Sequence, residues 1–257
     1  MKQSKIEWTE KVWNPSIGCD KISAGCKFCY AESFARRLKA MGTVDYKDGF
    51  KFKILPNRLE EPLKIKKPTK FFVNSMSDLF HEEMPCEYLD MIFAVIRKTP
   101  HHIYQILTKR DRVMLDYFAN RLVPENVWLG VSVESTAFKK RISTLRKIDA
   151  NIRFISFEPL IGDLGEVNLS GIHWAIVGGE SGRQARPIKK EWVEGIFQQC
   201  KEQNVAFFFK QWGTWGADAI KRNKKRNGRL FEGKEWDEYP KKVSAALMRS
   251  KVKIAKS

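Results

Sequence analysis

Residues 127–134 read V-W-L-G-V-S-V-E: a short apolar run that ends on a serine and, two positions later, a glutamate. About five consecutive apolar residues rich in β-branched and aromatic side chains mark a strand buried on both faces, as in a parallel sheet covered by helices. The same construction recurs at 70–74, 102–107, 153–157, 173–177 and 206–210, and the stretch 6–12 predicts a seventh strand. Helical patterns fill the gaps. Residues 86–99 place Leu89, Ile92, Phe93 and Ile96 on one face, 112–122 and 190–203 behave similarly, and 33–41 forms the first helix. This alternation is the βαβ signal, and nothing in its middle reads as a linker.

Two architectures satisfy the pattern, a (β/α) barrel and a doubly wound sheet. Polar residues stand just past nearly every run: Asn74 to Asp78, Thr108 to Arg110, Ser132 and Glu134, Glu158-Pro159, Gly178 to Gly182 with Arg183 and Arg186 behind, and Lys210 to Trp212. Chemistry collected at the carboxyl ends of strands is the habit of barrels. The expected fold is therefore α/β: a partial (β/α) barrel of six to seven parallel strands over 1–215. A basic C-terminal extension, 216–257, packs on or beside it and ends in a mobile tail from 241.

The net charge is +17, from 47 Lys and Arg against 30 Asp and Glu, and part of the excess is local to 221–229 and to the tail. Such an excess points to a polyanionic partner, nucleic acid first. The amino-terminal residues lack the apolar core of a signal peptide, and no run approaches the roughly 18–20 apolar residues of a membrane span. A cytoplasmic location and no membrane partner are expected. Walker and dinucleotide-binding loops are absent, and His81-Glu82-Glu83-Met84 lacks the second histidine of a zinc protease.

Three of the five cysteines, Cys19, Cys26 and Cys29, fall within eleven positions. In a reducing compartment such a cluster reads as metal-binding or catalytic. Structural zinc takes four ligands, and His81 or Cys86 are the available fourths. A [4Fe–4S] cluster on three thiolates leaves one iron open to a substrate or cofactor. Cys86 and Cys200 stand alone and are expected to be small buried hydrophobes.

The segments W-T-E-K-V-W-N-P-S-I-G-C (8–19) and S-A-G-C-K-F-C-Y-A-E (23–32), with SMSDLFHE, LTKR, GVSVE, FEPLIG, GGESG and FKQWG at the rim, carry a resemblance. The chain resembles a phage-associated and bacterial family, without settled activity, classed with the radical S-adenosylmethionine superfamily. The superfamily's familiar spacing is Cys-x3-Cys-x2-Cys, and here the first gap is longer by three. The resemblance implies one [4Fe–4S] cluster on Cys19, Cys26 and Cys29, S-adenosylmethionine on its open iron, and a 5′-deoxyadenosyl radical that takes hydrogen from a substrate. It also implies an external electron donor. Phe28 would lie against the adenine, Ser75, Ser77 and Asp78 near the methionine amino group, and Ser132 and Glu134 on the ribose. Glu158, Glu180 and Lys210 remain as catalytic candidates, each with an ordinary ion pair as the plainer alternative. Lys109, Arg183, Arg186, Gln211 and Trp212 remain for substrate. GGESG is a candidate phosphate cradle, and Trp212 and Trp215 are candidates for base stacking. The substrate expected is nucleic acid or a nucleotide, modified or repaired. A peptide or small molecule, or a zinc-stapled nucleic-acid-binding protein without catalysis, are the other readings, and a protein partner is a further expectation.

Overall fold

The computed structural model describes residues 3–241. Its strands in chain order are β1 (Lys11–Trp13), β2 (Ser16–Ile17), β3 (Lys53–Ile54), β4 (Lys70–Val73), β5 (Ile103–Thr108), β6 (Val127–Ser132), β7 (Ile152–Phe157), β8 (Trp174–Gly178) and β9 (Ala206–Gln211). Its α-helices are α1 (Tyr30–Ala40), α2 (Cys86–Lys98), α3 (Asp111–Phe118), α4 (Lys140–Arg146), α5 (Lys190–Glu202) and α6 (Lys224–Asn227). Seven strands form one parallel sheet in the order β1-β4-β5-β6-β7-β8-β9, and β2 pairs with β3 in a separate antiparallel ribbon. A sheet whose strands follow one another in sequence order winds in one direction, as barrels do, and has no reversal point of the doubly wound kind. β1 and β9 are not paired, so the barrel is open.

The curl can be measured. Trp8 places its ring 4.6 Å from Phe72 on β4 and 6.1 Å from Trp174 on β8. Four strand spacings in a flat sheet would hold those rings about 19 Å apart. Trp8, Phe72, Phe154, Trp174, Ile176 and Phe208 form an aromatic layer inside the barrel. The larger core lies outside it, between the sheet and the amphipathic faces of α2, α3 and α5. Burying Ile92, Phe93 and Ile96 of α2, each at most 1% exposed, contributes ~1.5–3 kcal/mol per side chain before entropy is counted.

Three expectations need correction. The first strand is the short Lys11–Trp13 rather than 6–12, because Trp8 leaves the sheet to plug the barrel. Cys86 is exposed at the start of α2, where its sulfur accepts from Arg121, while Cys200 is buried as expected. Helix α4 was not anticipated, since its seven residues carry only Ile142 and Leu145 toward the core. The mobile tail expected from 241 lies, apart from Lys241 itself, outside the described residues. Among the described residues no helix is long and apolar enough to cross a membrane.

Candidate functional site

The three cysteines sit on the loop between β2 and α1, at the carboxyl end of the barrel. Below the loop lies a cavity of about 390 Å³, lined by Cys26, Phe28 and Cys29 from the loop, Trp8 from the plug, Phe72 from β4, and Ser132, Ser156, Glu158 and Lys210 from the strand ends. Ser132 and Ser156 are register partners across β6 and β7, so both side chains leave the sheet on the same face. Ser156 was missed, although its place beside Ser132 in an aligned reading of the two runs was available.

The cavity wall holds polar atoms with no partner. The indole Nε1 of Trp8, Oε1 of Gln211 and Oε2 of Glu7 are buried there without a hydrogen bond among the described residues. An unmade buried hydrogen bond costs about 1–3 kcal/mol, so a rotation that brought one of these side chains to a polar occupant of the cavity would recover that energy. Lys224 of α6 also lines the cavity, 3.2 Å from Glu7.

The cysteine loop is clamped at three points by guanidiniums. Arg110, buried at 4% exposure, donates from Nη1 to the Cys19 sulfur at 3.3 Å, pairs with Glu82, and lies 3.4 Å from Asp78. Arg141 donates to Glu134 at 2.9 Å, and the other oxygen of Glu134 accepts from the hydroxyl of Ser23 in the loop. Arg186 holds Glu180 through two nitrogens and donates to the carbonyl of Ala24 at 2.9 Å. Gly25 passes so close to Glu134 that a Cβ there would stand 2.8 Å from Oε1.

These contacts redirect several expected roles. Glu134 is fully buried and spent on Arg141 and Ser23, and it does not line the cavity. Asp78 accepts from the Phe80 and Lys109 amides and from the Thr108 hydroxyl at 2.6 Å, so its oxygens are also engaged. Ser77 donates to the Gly18 carbonyl at 2.7 Å and Ser75 to Asn14 at 3.3 Å, both fixing the start of the loop. Glu180 lines the cavity with its carboxylate held by Arg186, and Arg186, outside the lining, braces the loop. Trp212 is 2% exposed with its N–H on the Leu230 carbonyl, so it packs the core and shows no face to a base. Trp215 likewise donates to the Ala185 carbonyl. In GGESG, a Cβ on Gly179 would stand 2.0 Å from the Trp212 carbonyl. That glycine is explained by close packing and not by a phosphate.

Other candidates do meet at the cavity. Glu158 and Lys210 face it as an ion pair, with Nζ 2.8 and 2.9 Å from the two carboxylate oxygens. Gln211 reaches Glu158 at 3.4 Å, and Lys109 and Phe28 line the wall. Arg183 is exposed on a neighbouring outer groove.

The thiols differ in acidity. Burial and then the Asp78 carboxylate push the Cys19 thiol up to about 11, against the pull of Arg110. Burial would also raise Cys26, but the Lys109 ammonium and the hydrogen bond that Cys26 shares with the Ser23 hydroxyl outweigh it and leave that thiol below its ordinary value.

Four-coordinate zinc would bring sulfurs to about 3.8 Å from one another, given Zn–S near 2.3 Å. Among the described residues, the ligand atoms gathered within 4.8 Å of one another are those of Asp20, His81 and Glu83, not the three sulfurs. His81 does not fit as a fourth ligand either. Its Nδ1 accepts from the Glu83 amide at 3.2 Å, which leaves the proton on Nε2, facing Asp20. A metal-bound imidazole has the reverse arrangement, donating from its second nitrogen.

Among solved structures, the chain is similar to spore photoproduct lyase complexed with dinucleoside spore photoproduct, at 14% identity and a TM-score of 0.42. It is also similar to a mutant of that lyase with bound AdoMet and dinucleoside spore photoproduct, at 14% identity and a TM-score of 0.40. Both alignments cover 79% of this chain and 64% of the lyase chain, so the chain spans less than two thirds of the lyase's length. No curated protein matches the chain. Residues 3–240 match the model of a family described as proteins of unknown function (DUF5131), and to that family the chain belongs.

Proposed function

We propose that the protein is a radical S-adenosylmethionine enzyme acting on nucleic acid or a nucleotide, with one [4Fe–4S] cluster on Cys19, Cys26 and Cys29. The observation that carries the reading is the cavity itself. Two of the three cysteines line it, and so do side chains that carry unpaired buried polar atoms of both hydrogen-bonding senses. A cofactor with an adenosyl and an amino-acid half offers donors and acceptors to match, and the volume suits one such molecule.

When bound, the cluster and cofactor together supply one-electron reductive cleavage of a sulfonium. The chain's own residues bind and exclude water. Phe28 offers an aromatic wall, Ser132 and Ser156 offer hydroxyls, and Trp8 and Gln211 of the wall each carry an unpaired buried polar atom. Lys210 and Glu158 present a paired ammonium and carboxylate to the cavity. The net charge of +17 supports a polyanionic substrate.

The test is anaerobic reconstitution, reduction with dithionite, and electron paramagnetic resonance with and without S-adenosylmethionine. The expected result is a reduced [4Fe–4S] signal that shifts when the cofactor is added, followed by release of 5′-deoxyadenosine. A silent protein that carries zinc overturns the proposal.

A further inference from the structure

A second depression opens outward from the cysteine loop. It encloses about 1060 Å³ between the start of α1 and the 181–185 loop, and shares Phe28, Cys29, Tyr30 and Ser181 with the inner cavity. None of the substrate candidates considered above except Arg183 belongs to it. Its volume exceeds the ~300–1,000 Å³ of small-molecule sites, and it is a trough that adjoins the cavity across those shared residues.

The lining has two features that seldom coincide by chance. The first is charge. Lys21, Lys27, Arg36, Arg37 and Arg183 line the trough against a single acid, Glu32. Glu32 pairs with Lys21 and Arg36, which leaves Lys27, Arg37 and Arg183 without a carboxylate in the trough. The second is exposed aromatic surface. Tyr30 and Phe34 are 58% and 45% exposed, although water-facing rings of this size forfeit the burial that folding rewards. They stand four apart on α1 with Arg37 three further on, so all three share one helix face. The Tyr30 hydroxyl donates to the Ser75 carbonyl at 2.6 Å, which fixes its ring.

From this arrangement we infer that the trough is a track for single-stranded nucleic acid. Phosphates lie on Lys27, Arg37 and Arg183, unpaired bases stack on Tyr30 and Phe34, and the shared wall of Phe28 and Tyr30 delivers one nucleotide to the cavity. Rings on a basic groove are how proteins hold strands without reading sequence, because every base has a face to stack. A duplex hides those faces, so it would use the cations and leave the rings idle. This inference rests on the nucleic-acid reading above and gives it a path and a strand state.

The test is fluorescence anisotropy on the full-length chain with a labelled single-stranded DNA, the equivalent RNA and the annealed duplex, each titrated over a range of salt. Single strands should bind more tightly than duplex. Tyr30→Leu and Phe34→Leu keep apolar bulk but remove the flat face, and each should weaken single-strand binding about tenfold. Arg37→Ala and Arg183→Ala should each lower the slope of log K against log salt by about 0.7. Arg97→Ala, exposed in the last turn of α2 and outside the trough, should leave single-strand preference intact. Wild-type binding that none of the four trough variants disturbs overturns the track while sparing the nucleic-acid reading. Equal affinity for duplex, with the ring variants neutral, overturns the single-strand assignment, and so does a loss on Tyr30→Ala that Tyr30→Leu does not share, which marks a protein-type apolar contact. Absence of binding to all three probes at low salt overturns both readings.

Discussion

Glu134→Gln separates two accounts of the same residue. In the structure Glu134 is a fully buried brace between Arg141 and the Ser23 hydroxyl of the cysteine loop. The amide keeps the shape and removes the charge, so Arg141, its side chain 7% exposed, stays buried with the closer of its two ion pairs broken. Breaking one partner of a buried pair costs ~3–5 kcal/mol. Arg141 keeps the Asp111 carboxylate at 3.9 Å, the Ser132 carbonyl at 2.9 Å and the Phe138 ring at 4.2 Å, which favours the lower end, about 3 kcal/mol. In a chain of this length that lowers the melting temperature by about 6–12 °C. The loop should also loosen over Gly25, so iron retained after reconstitution should fall. The assays are thermal unfolding of the cluster-free protein and iron analysis after desalting. The competing account makes Glu134 a ligand of the cofactor ribose. It predicts unchanged melting and iron, with S-adenosylmethionine binding weakened about tenfold, as the loss of ~1.4 kcal/mol would give. That outcome refutes the brace.

Two further predictions follow the same contacts. Arg110→Lys keeps the positive charge but not the planar fork that reaches Cys19, Glu82 and Asp78 together. Removing a donor from a ligating sulfur should make the cluster's midpoint potential more negative, as read by a redox titration followed by paramagnetic resonance; an unchanged potential would mean that Arg110 does not touch the cluster's sulfur in the loaded protein. His102 is fully buried, and burial and then the neighbouring His101 hold its imidazole below the ordinary histidine value. The folded state therefore binds fewer protons than the unfolded one, so its stabilising share is complete above pH ~6.5 and declines as the pH falls below it. Unfolding free energies between pH 7 and 5 should show that decline in the wild type and a flatter profile in His102→Gln; parallel profiles would assign the acid sensitivity elsewhere.

Much of the fold is legible in the sequence because its strands are self-announcing. The runs ending at Val73, Val131 and Phe157 are mainly apolar and buried on both faces, as strands of a helix-covered parallel sheet need to be, and the polar residue after each run gives the rim. The thiol cluster is legible for a similar reason, since three cysteines on one loop need no knowledge of distant contacts. The segment 6–12 misled because Ile6 and Trp8 carry strand-like apolar character whose outlet is the barrel interior, and no local pattern distinguishes a plug from a strand.

The sequence by itself determined the order of elements, the rim and the thiol cluster, because each depends on neighbours a few positions away. Only the tertiary structure decided which rim residues are free to act. Ser23 meets Glu134 across a separation of 111 residues, and Ala24 meets Arg186 across 162. A glutamate after a strand reads the same whether it faces a ligand or a guanidinium. What separates the two is burial and the position of one opposite charge, and the curl of the sheet sets both.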